Sequence, residues 1–187
     1  MTLSATTSGV FLPEFYKYID EEIPENSYLW LKPGDILMQR ANSLEKVGTS
    51  AIYTGREHEF IYPDLMMKLQ VNELAVPEYI AYYLKTDKVM QFLRENATGT
   101  AGNMPKINQK VVSKIPTVLP LIDEQIEISR QLDMLFSLER SVKDTVDGIV
   151  TQIDAMKKSI LSRAFRGEMG TNDPSEESAK VLLKRVL

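Results

Sequence analysis

The fold of this chain is decided by residues 123–165, DEQIEISRQLDMLFSLERSVKDTVDGIVTQIDAMKKSILSRAF. Alternate steps of four and three residues from position 128 reach ten positions, of which nine are apolar; the tenth is Glu139. We call the nine apolar residues the heptad seam: Ile128, Leu132, Leu135, Val142, Val146, Ile149, Ile153, Met156 and Ile160. Such a sustained heptad repeat predicts a coiled coil, and a helix of about 40 residues is roughly 60 Å long.

The charges of this helix divide it into two halves. Residues 123–147 carry seven acidic and three basic side chains, a net charge of −4, whereas residues 148–166 carry one acidic and four basic side chains, a net charge of +3. No other segment repeats the heptad pattern, so we expect the partner of the seam on another chain. Two antiparallel copies would pair the acidic half with the basic half. The alternative is an amphipathic helix that packs on its own globular domain.

Composition excludes several classes of protein. The chain has 187 residues, 43% of them hydrophobic, which suits one domain with an extended element. It has no cysteine, which excludes a disulfide framework and a thiolate zinc site. Its one histidine, His58, lies between two glutamates, and we interpret it as a solvated turn residue rather than a metal ligand. Neither a membrane span nor a signal peptide is evident, so we expect a soluble cytoplasmic protein.

The residues before the long helix alternate between strand and helix patterns. The Pro-Gly-Asp sequence at 33–35 predicts a turn between two strands. The predicted strands are 28–31, 36–39, 48–53 and 65–71, and the predicted helices are a short one near 14–20, one over 77–95 and a short helix or turn over 107–112. Residues 1–10 are expected to be frayed. Asp123 is expected to cap the long helix and Gly167 to end it.

These elements predict an α+β fold. A compact mixed α/β domain over residues 1–122 is followed by a long C-terminal coiled-coil helix over 123–169 and by a tail with a short helix over 170–187.

Motifs for catalysis and nucleotide binding are missing from the sequence. It contains neither a G-x-x-x-x-G-K phosphate loop nor a G-x-G-x-x-G fingerprint, and a single histidine without cysteine argues against a nucleophile–base triad. The net charge of −4 argues against a simple DNA-binding domain. However, residues 85–114 carry six bases against two acids and can face phosphate locally. We therefore predict a binding protein and not an independent enzyme.

Two segments resemble the DNA specificity (S) subunit of type I restriction–modification systems. Residues 99–125, GTAGNMPKINQKVVSKIPTVLPLIDEQ, are similar to that family's glycine-rich loop and to the I-P-x-P-L-P-P-L-x-E-Q linker that leads into a long helix. Residues 159–169, SILSRAFRGEM, are similar to the motif with which that helix ends. Weaker similarities lie in residues 31–37 and in the tail. Thr117 and Ile122 stand where the family commonly has proline.

The resemblance implies a half-length form of that subunit. A complete S subunit has two target-recognition domains and two spacer helices that pair antiparallel, whereas this chain has one of each. Its recognition domain lacks the family's usual opening strand region, so we expect a domain shortened at its start. Two copies would form a homodimer through the heptad seam and read a two-part inverted-repeat DNA site with an unread spacer.

The resemblance also implies partners that carry the chemistry. The chain would choose the site in double-stranded DNA and would need no cofactor itself. A methyltransferase (modification) subunit would flip the adenine and use S-adenosylmethionine, and a restriction subunit would use ATP and Mg²⁺. The long helix would be a ruler between recognition domains and a docking surface for the methyltransferase.

Two polar loops are the candidates for DNA contact. The first offers amides, a guanidinium and an ammonium group that suit base edges and phosphates. Its residues are Gln39, Arg40, Asn42, Ser43 and Lys46. The second offers short hydrogen-bonding groups on a glycine-flexible backbone, from Thr98, Thr100, Asn103 and Lys106. The alternatives are an ordinary strand connection for the first loop and a turn that directs the linker for the second. Three tyrosines can stack on bases or pack in the core: Tyr79, Tyr82 and Tyr83.

Two other functions stay open. A truncated specificity-subunit fragment would dimerise or bind the methyltransferase and regulate it without reading DNA. The shortened domain favours this function, and the acidity is compatible with it. An unrelated coiled-coil adaptor would share the heptad seam but not the linker and helix-end motifs. Salt-sensitive, sequence-dependent DNA binding in the presence of a methyltransferase subunit would support the DNA-specificity function over both alternatives.

Overall fold

A computed structural model of the chain describes residues 1–99, 104–170, 175 and 177–186. Contacts divide it into an N-terminal unit, Met1–Asp133, and a C-terminal unit, Met134–Leu187. A small sheet, short helices and one long C-terminal helix make up the fold, so the predicted α+β class is confirmed. The predicted three-part division of the chain stays a prediction.

Three short antiparallel strands form the sheet of the N-terminal unit: β1 (Ile36–Gln39), β2 (Ser50–Ile52) and β3 (Met66–Leu69). The order is β2-β1-β3, with β1 in the centre. All four residues of β1 are buried. Because successive side chains of a strand alternate between the two faces, β1 supplies core residues to both faces of the sheet.

The strand predicted over 28–31 is wrong. Among these residues only Trp30 makes an isolated bridge. The backbone carbonyls of Tyr28 and Trp30 accept hydrogen bonds from Lys68 Nζ instead, at 2.7 and 3.0 Å. The same ammonium group lies 3.8 Å from the buried Asp35 carboxylate. A charged side chain therefore satisfies carbonyls that a neighbouring strand would otherwise pair.

The helix predicted over 77–95 forms as two helices, α1 (Pro77–Tyr83) and α2 (Asp87–Glu95), so the prediction of one continuous helix is wrong. Thr86 between them is extended, with φ −65° and ψ 145°. Its hydroxyl and its backbone N–H donate to Tyr83 O at 2.8 and 3.1 Å. Threonine interrupts helices in this way because its short side chain can bond nearby carbonyls.

Two clusters of buried side chains form the core. The first contains Ile36, Met38, Val47, Ala81, Leu84, Val89, Leu93 and Ile107. The second contains Ala5, Phe11, Leu31, Leu37, Ala51, Tyr53 and Met66. Gly48, at φ +85°, faces Leu93 so closely that an added Cβ would lie 2.5 Å from Leu93 Cδ1. The left-handed backbone at Gly48 favours glycine, and any side chain there would push against Leu93 of α2.

The prediction that residues 1–10 are frayed is wrong. They include a 3-10 turn, Leu3–Thr6, whose last two residues are fully buried. The short helix predicted near 14–20 does not form either. Its backbone pairs with the N-terminal segment instead, since Phe15 O accepts a hydrogen bond from Thr2 N at 2.9 Å.

The long helix α4 spans Ile122–Phe165, 44 residues. It begins one residue before Asp123, so the prediction that Asp123 caps it is wrong. The Glu124 carboxylate instead accepts from Leu121 N at 3.2 Å, as the third residue of a capping box does. Two acidic side chains in the first turn suit the positive end of the helix dipole.

The end of α4 is confirmed at Gly167, which has φ +73°. Gly167 N donates to Ala164 O at 3.0 Å and Glu168 N donates to Arg163 O at 2.9 Å. These two bonds form a Schellman motif, which needs a left-handed residue. Two further short helices are α3 (Gln109–Val112) and α5 (Ala179–Val186).

Candidate nucleic-acid interface

The two predicted polar loops lie side by side on the N-terminal unit. The first follows β1, and the second precedes α3. Ile107 N donates to Arg40 O at 2.8 Å, and Ala41 pairs with Lys106 in an antiparallel bridge. Residues 40–41 and 106–107, which are far apart in the sequence, therefore lie side by side.

Main-chain hydrogen bonds close the second loop at its base. Thr98 N donates to Lys106 O, and Lys106 N donates to Thr98 O, both at 2.8 Å. The Thr98 hydroxyl also donates to Lys106 O at 3.3 Å. Thr98 and Lys106 are exposed. Thr100 and Asn103 lie outside the described residues, and DNA contact by them stays a prediction.

Gln39 lies inside the molecule. Its side chain is fully buried, and Nε2 donates to Leu3 O, Thr6 Oγ1 and Thr7 Oγ1 at 2.9 to 3.1 Å. Its Oε1 accepts from Asn42 Nδ2 at 2.5 Å. An amide whose donors and acceptor are all engaged offers nothing to a base edge. We therefore leave Gln39 out of the surface considered for DNA contact.

Asn42 shapes the first loop from within. Besides donating to Gln39, its side chain accepts from Ser43 N at 2.7 Å, and its backbone N–H donates to Pro105 O at 3.3 Å. These bonds hold Asn42, which is half-buried, while Ser43 and Lys46 are exposed. The first loop therefore presents a hydroxyl and an ammonium group to solvent.

Arg40 lies in a shallow groove beside β3. Its Nη1 is 3.5 Å from Asp64 Oδ1, and the two side chains are 38% and 93% exposed. Gln109 and Lys110 line the same groove. Neither residue is among the predicted contacts, although the excess of bases over residues 85–114 includes Lys110.

Exposed guanidinium and ammonium groups thus lie on the first loop, at the end of the second loop and on α3. We call this set the basic surface: Arg40, Ser43, Lys46, Lys106, Gln109 and Lys110. Lysine pairs with phosphate as a point charge, and the arginine fork also fits the O6 and N7 edge of guanine. Such a surface can hold a nucleic-acid backbone even on a chain whose net charge is −4.

The three tyrosines of α1 point their hydroxyls at the linker before α4 and at α4 itself. Tyr79 OH donates to Val118 O at 2.8 Å, and Tyr83 OH donates to Pro116 O at 2.6 Å. Tyr82 OH donates to a carboxylate of α4. Burial raises the pKa of Tyr79, and the neighbouring Tyr83 adds to the shift. Of the two predicted roles, packing within the fold is the one the structure shows.

The heptad seam is exposed along α4. Eight of its nine residues are more than a third exposed, from 38% for Ile128 to 62% for Met156, and Leu132 is half-buried. The buried residues of α4 are two polar ones, Gln125 and Ser129. A long row of exposed, large apolar side chains is typical of an interaction surface.

Metal-binding clusters and membrane-spanning helices are both missing from the described residues. Over the ranges given above, no cluster of three or more His, Cys, Asp or Glu side chains could hold a metal ion. None of the helices in those ranges is both long and apolar enough to cross a membrane. His58 lies in a turn at φ +61°, with its ring centroid 5.7 Å from that of Trp30.

Comparison with known proteins gives a consistent result. Residues 5–147 match the family described as Type I restriction modification DNA specificity domain. The chain is 29% identical over 166 residues to the EcoKI specificity subunit of Escherichia coli (strain K12), which is 83% of this chain and 36% of that protein. It is 27% identical over 146 residues to the StySPI specificity subunit of Salmonella potsdam, 78% of this chain and 31% of that protein. The chain therefore spans about a third of the length of these curated relatives.

Proposed function

Because this chain belongs to the family of type I restriction–modification DNA specificity domains, we propose that it is the non-catalytic subunit that chooses the DNA site for a methyltransferase. The observation that carries the proposal is the family match over residues 5–147, which takes in the basic surface and the first half of the long helix. The related E. coli and Salmonella proteins are themselves named specificity subunits of type I restriction enzymes.

The N-terminal unit supplies the DNA contacts in this proposal. Lys46, Lys106 and Lys110 pair with phosphates, and Arg40 pairs with a phosphate or with the edge of a guanine. The exposed hydroxyl of Ser43 adds a hydrogen bond. In the second loop, Thr98, Thr100 and Asn103 are the proposed readers of base edges. Gln39 and Asn42 support the first loop from inside.

In this proposal the heptad seam is the interface of a homodimer. The exposure of its apolar side chains supports the dimer, and the net charges of −4 and +3 on the two halves of the helix favour an antiparallel pair. A two-fold dimer presents two N-terminal units to the two halves of an inverted DNA site. Because the two contacts are linked, the dimer binds far more tightly than one unit alone.

The catalytic steps belong to partner subunits in this proposal. A methyltransferase subunit docks on the long helix, extrudes the target adenine and uses S-adenosylmethionine. A restriction subunit uses ATP and Mg²⁺. The specificity chain binds double-stranded DNA in the cytoplasm and carries no cofactor.

A regulatory role is the second candidate. Two of the amides predicted to read bases, those of Gln39 and Asn42, are engaged inside the fold. A chain with fewer groups for base readout would still dimerise or occupy the methyltransferase, and it would regulate that enzyme without choosing a sequence.

Two measurements test the proposal. Light scattering of the purified chain should give twice the chain mass of 21.2 kDa, and a monomer would contradict the homodimer. The chain mixed with a methyltransferase subunit is then used to select from random-sequence duplexes. Enrichment of a two-part inverted sequence, weakened by added salt, supports site selection. Complex formation without any enriched sequence supports the regulatory role instead.

A further inference from the structure

The side chain of Gln125, in the first turn of α4, is fully buried. Its Oε1 accepts from Val76 N at 2.9 Å, and its Nε2 donates to Leu74 O at 3.1 Å and to Pro120 O at 2.9 Å. One amide thus joins the start of α4, the linker before it and the segment before α1. A buried amide with three well-placed partners accepts little displacement, because each lost bond leaves a polar group unsatisfied.

The tyrosines of α1 extend the same contact along the linker and the helix. Tyr79 and Tyr83 donate to carbonyls of the linker, and Tyr82 donates to the Asp133 carboxylate. Residues three and four positions apart lie on one face of a helix, so a single face of α1 makes all three contacts. We call Gln125 and these three tyrosines the latch.

The anchor points of the latch are spread over residues 116–133. Most of them are backbone carbonyls of an extended, proline-containing segment, which has no helix or strand partners of its own at those positions. Two of the contacts, those of Gln125 and Asp133, lie on α4 itself, about 12 Å apart along its axis. Two separated contacts fix the direction of a rod, whereas a contact at one point fixes only its position. The latch therefore restrains the angle between α1 and the first turns of α4.

A DNA site with an unread spacer needs that restraint. Adding one base pair to a spacer moves a half-site by about 3.4 Å and turns it by about 35° around the duplex axis. A dimer can reject a wrong spacer only if each recognition surface can move and turn by less than the shift and rotation of one base pair. We propose that the latch residues Gln125, Tyr79, Tyr82 and Tyr83 are positioning residues that determine which spacer length the dimer accepts; this rests on the function proposed above.

The first experiment measures the restraint itself, without DNA. The chain has no cysteine, so Lys88→Cys and Gln131→Cys, at exposed positions of α2 and α4, take spin labels at two defined sites. The doubly labelled chain is diluted into unlabelled chain, so that pulsed electron resonance reports distances within one copy. Gln125→Ala should broaden or shift the distance distribution. The matched control Gln91→Ala, at an exposed glutamine of α2, should not.

A second variant guards against unfolding. Tyr79→Phe with Tyr83→Phe removes two hydroxyl groups and keeps both rings in place, and it should broaden the same distribution. Circular dichroism checks that each variant keeps its helices. If both latch variants fold and give the parental distribution, the latch proposal is overturned.

The closing experiment measures spacer preference. The chain with its methyltransferase subunit is tested on duplexes that carry the selected half-sites at the selected spacing and at spacings one or two base pairs longer or shorter. The parental chain should prefer one spacing by at least about tenfold, the scale of a single mismatched base pair. The latch variants should lose most of that preference and keep the half-site sequence. A merely structural role would weaken binding to all spacings equally.

The two proposals fail in different ways. A parental chain with no preference for any two-part duplex would overturn the proposed function, while the spin-label distances still decide whether the latch restrains α4. A parental chain with a sharp preference, retained in both latch variants, would overturn the latch proposal and leave the proposed function standing.

Discussion

The two units of this molecule offer different surfaces to a partner. The N-terminal unit satisfies its buried amides internally, and among the described residues Ser50 Oγ is the one buried side-chain polar atom without a hydrogen bond. This unit carries the exposed positive charges of the basic surface, and its other exposed side chains include apolar ones such as Tyr18 and Leu121. The C-terminal unit exposes a long row of apolar side chains, most of the heptad seam, with Val146 at 51% and Ile149 at 49%. The first unit is therefore suited to a charged polymer and the second to another apolar helix.

The largest effect is expected in the heptad seam of the C-terminal unit. Val146→Asp would place a carboxylate in the middle of an apolar interface, where an unpaired buried charge costs several kcal/mol. The dissociation constant of the dimer should rise by at least about a hundredfold, as measured by sedimentation over a dilution series.

Ala155→Asp is the control for this change, because it adds the same carboxylate on the same helix at an exposed position outside the seam. It should leave the dimer intact. A Val146→Asp chain that stays dimeric would mean that the seam is not the interface between copies.

The interior of the N-terminal unit should show the next largest effect. Gln39→Ala removes the donor to Leu3 O and to two threonine hydroxyls, and it should lower the free energy of unfolding by about 1–3 kcal/mol. The fluorescence of Trp30, the chain's one tryptophan, reports this unfolding in urea.

Gln91→Ala, at an exposed glutamine, should change the free energy of unfolding by no more than about 0.5 kcal/mol. The folded Gln39→Ala chain should select the same DNA sequence as the parent. A different selected sequence would show that Gln39 contacts bases after all.

The basic surface should reveal itself through salt. Lys106→Ala would remove the phosphate contact proposed for Lys106, so the slope of log K against log salt should become shallower by about 0.9. Fluorescence anisotropy at several salt concentrations measures the slope. Lys17→Ala, in the acidic segment before residue 31, is the control and should leave it unchanged. An unchanged slope in Lys106→Ala would place the DNA elsewhere.

A smaller effect is expected from the ion pair at the edge of this surface. Asp64→Asn releases Arg40 and removes a negative charge near the DNA, so binding should tighten about two- to threefold, within the range of exposed ion pairs. Asp20→Asn makes the same change in net charge away from Arg40. If both variants tighten binding equally, the gain comes from net charge and not from Arg40.

The smallest effect concerns an ion pair near the start of α4, in the part of the helix that belongs to the N-terminal unit. Two hydrogen bonds from the Arg130 guanidinium, at 2.8 and 2.7 Å, and one from Gln131 lower the pKa of the Glu127 carboxyl to about 2. Because the folded pKa lies below the unfolded value of about 4.3, this pair stabilises the fold above that pH, and its contribution is lost as pH falls through 2.

The effect of this pair on unfolding should be small, since both side chains are well exposed. A carbon-detected NMR titration should find the Glu127 midpoint near 2 in the parent and near the ordinary value in Arg130→Ala. A parental midpoint at the ordinary value would contradict the pairing.

The parts of the fold that the sequence could predict have a local cause. The heptad repeat determines α4 by itself, and the left-handed residue needed after a helix marks Gly167. The three strands follow from short apolar runs bounded by turn residues. Each of these signals lies within the element that it predicts.

The parts that the sequence could not predict depend on distant partners. Gln39 ends an apolar strand and looks like a surface residue, yet its partners lie at residues 3–7. In the sequence the tyrosines of α1 look like a face for stacking on bases. In the structure the hydroxyls of Tyr79 and Tyr83 donate to carbonyls of the linker before α4. The contact between the two polar loops joins residues 41 and 106. Tertiary contacts of this kind leave no periodic trace in the sequence.

The closure of the second loop has a consequence for how such a protein can evolve. The reciprocal bonds between Thr98 and Lys106 are main-chain bonds, so the loop is held at its base whatever side chains lie between them. Doubling the length of a loop costs only about 0.6 kcal/mol in closure entropy. If the second loop reads bases as proposed, a lineage can replace residues 99–105 and change the selected sequence, while the framework that holds the loop is inherited unchanged.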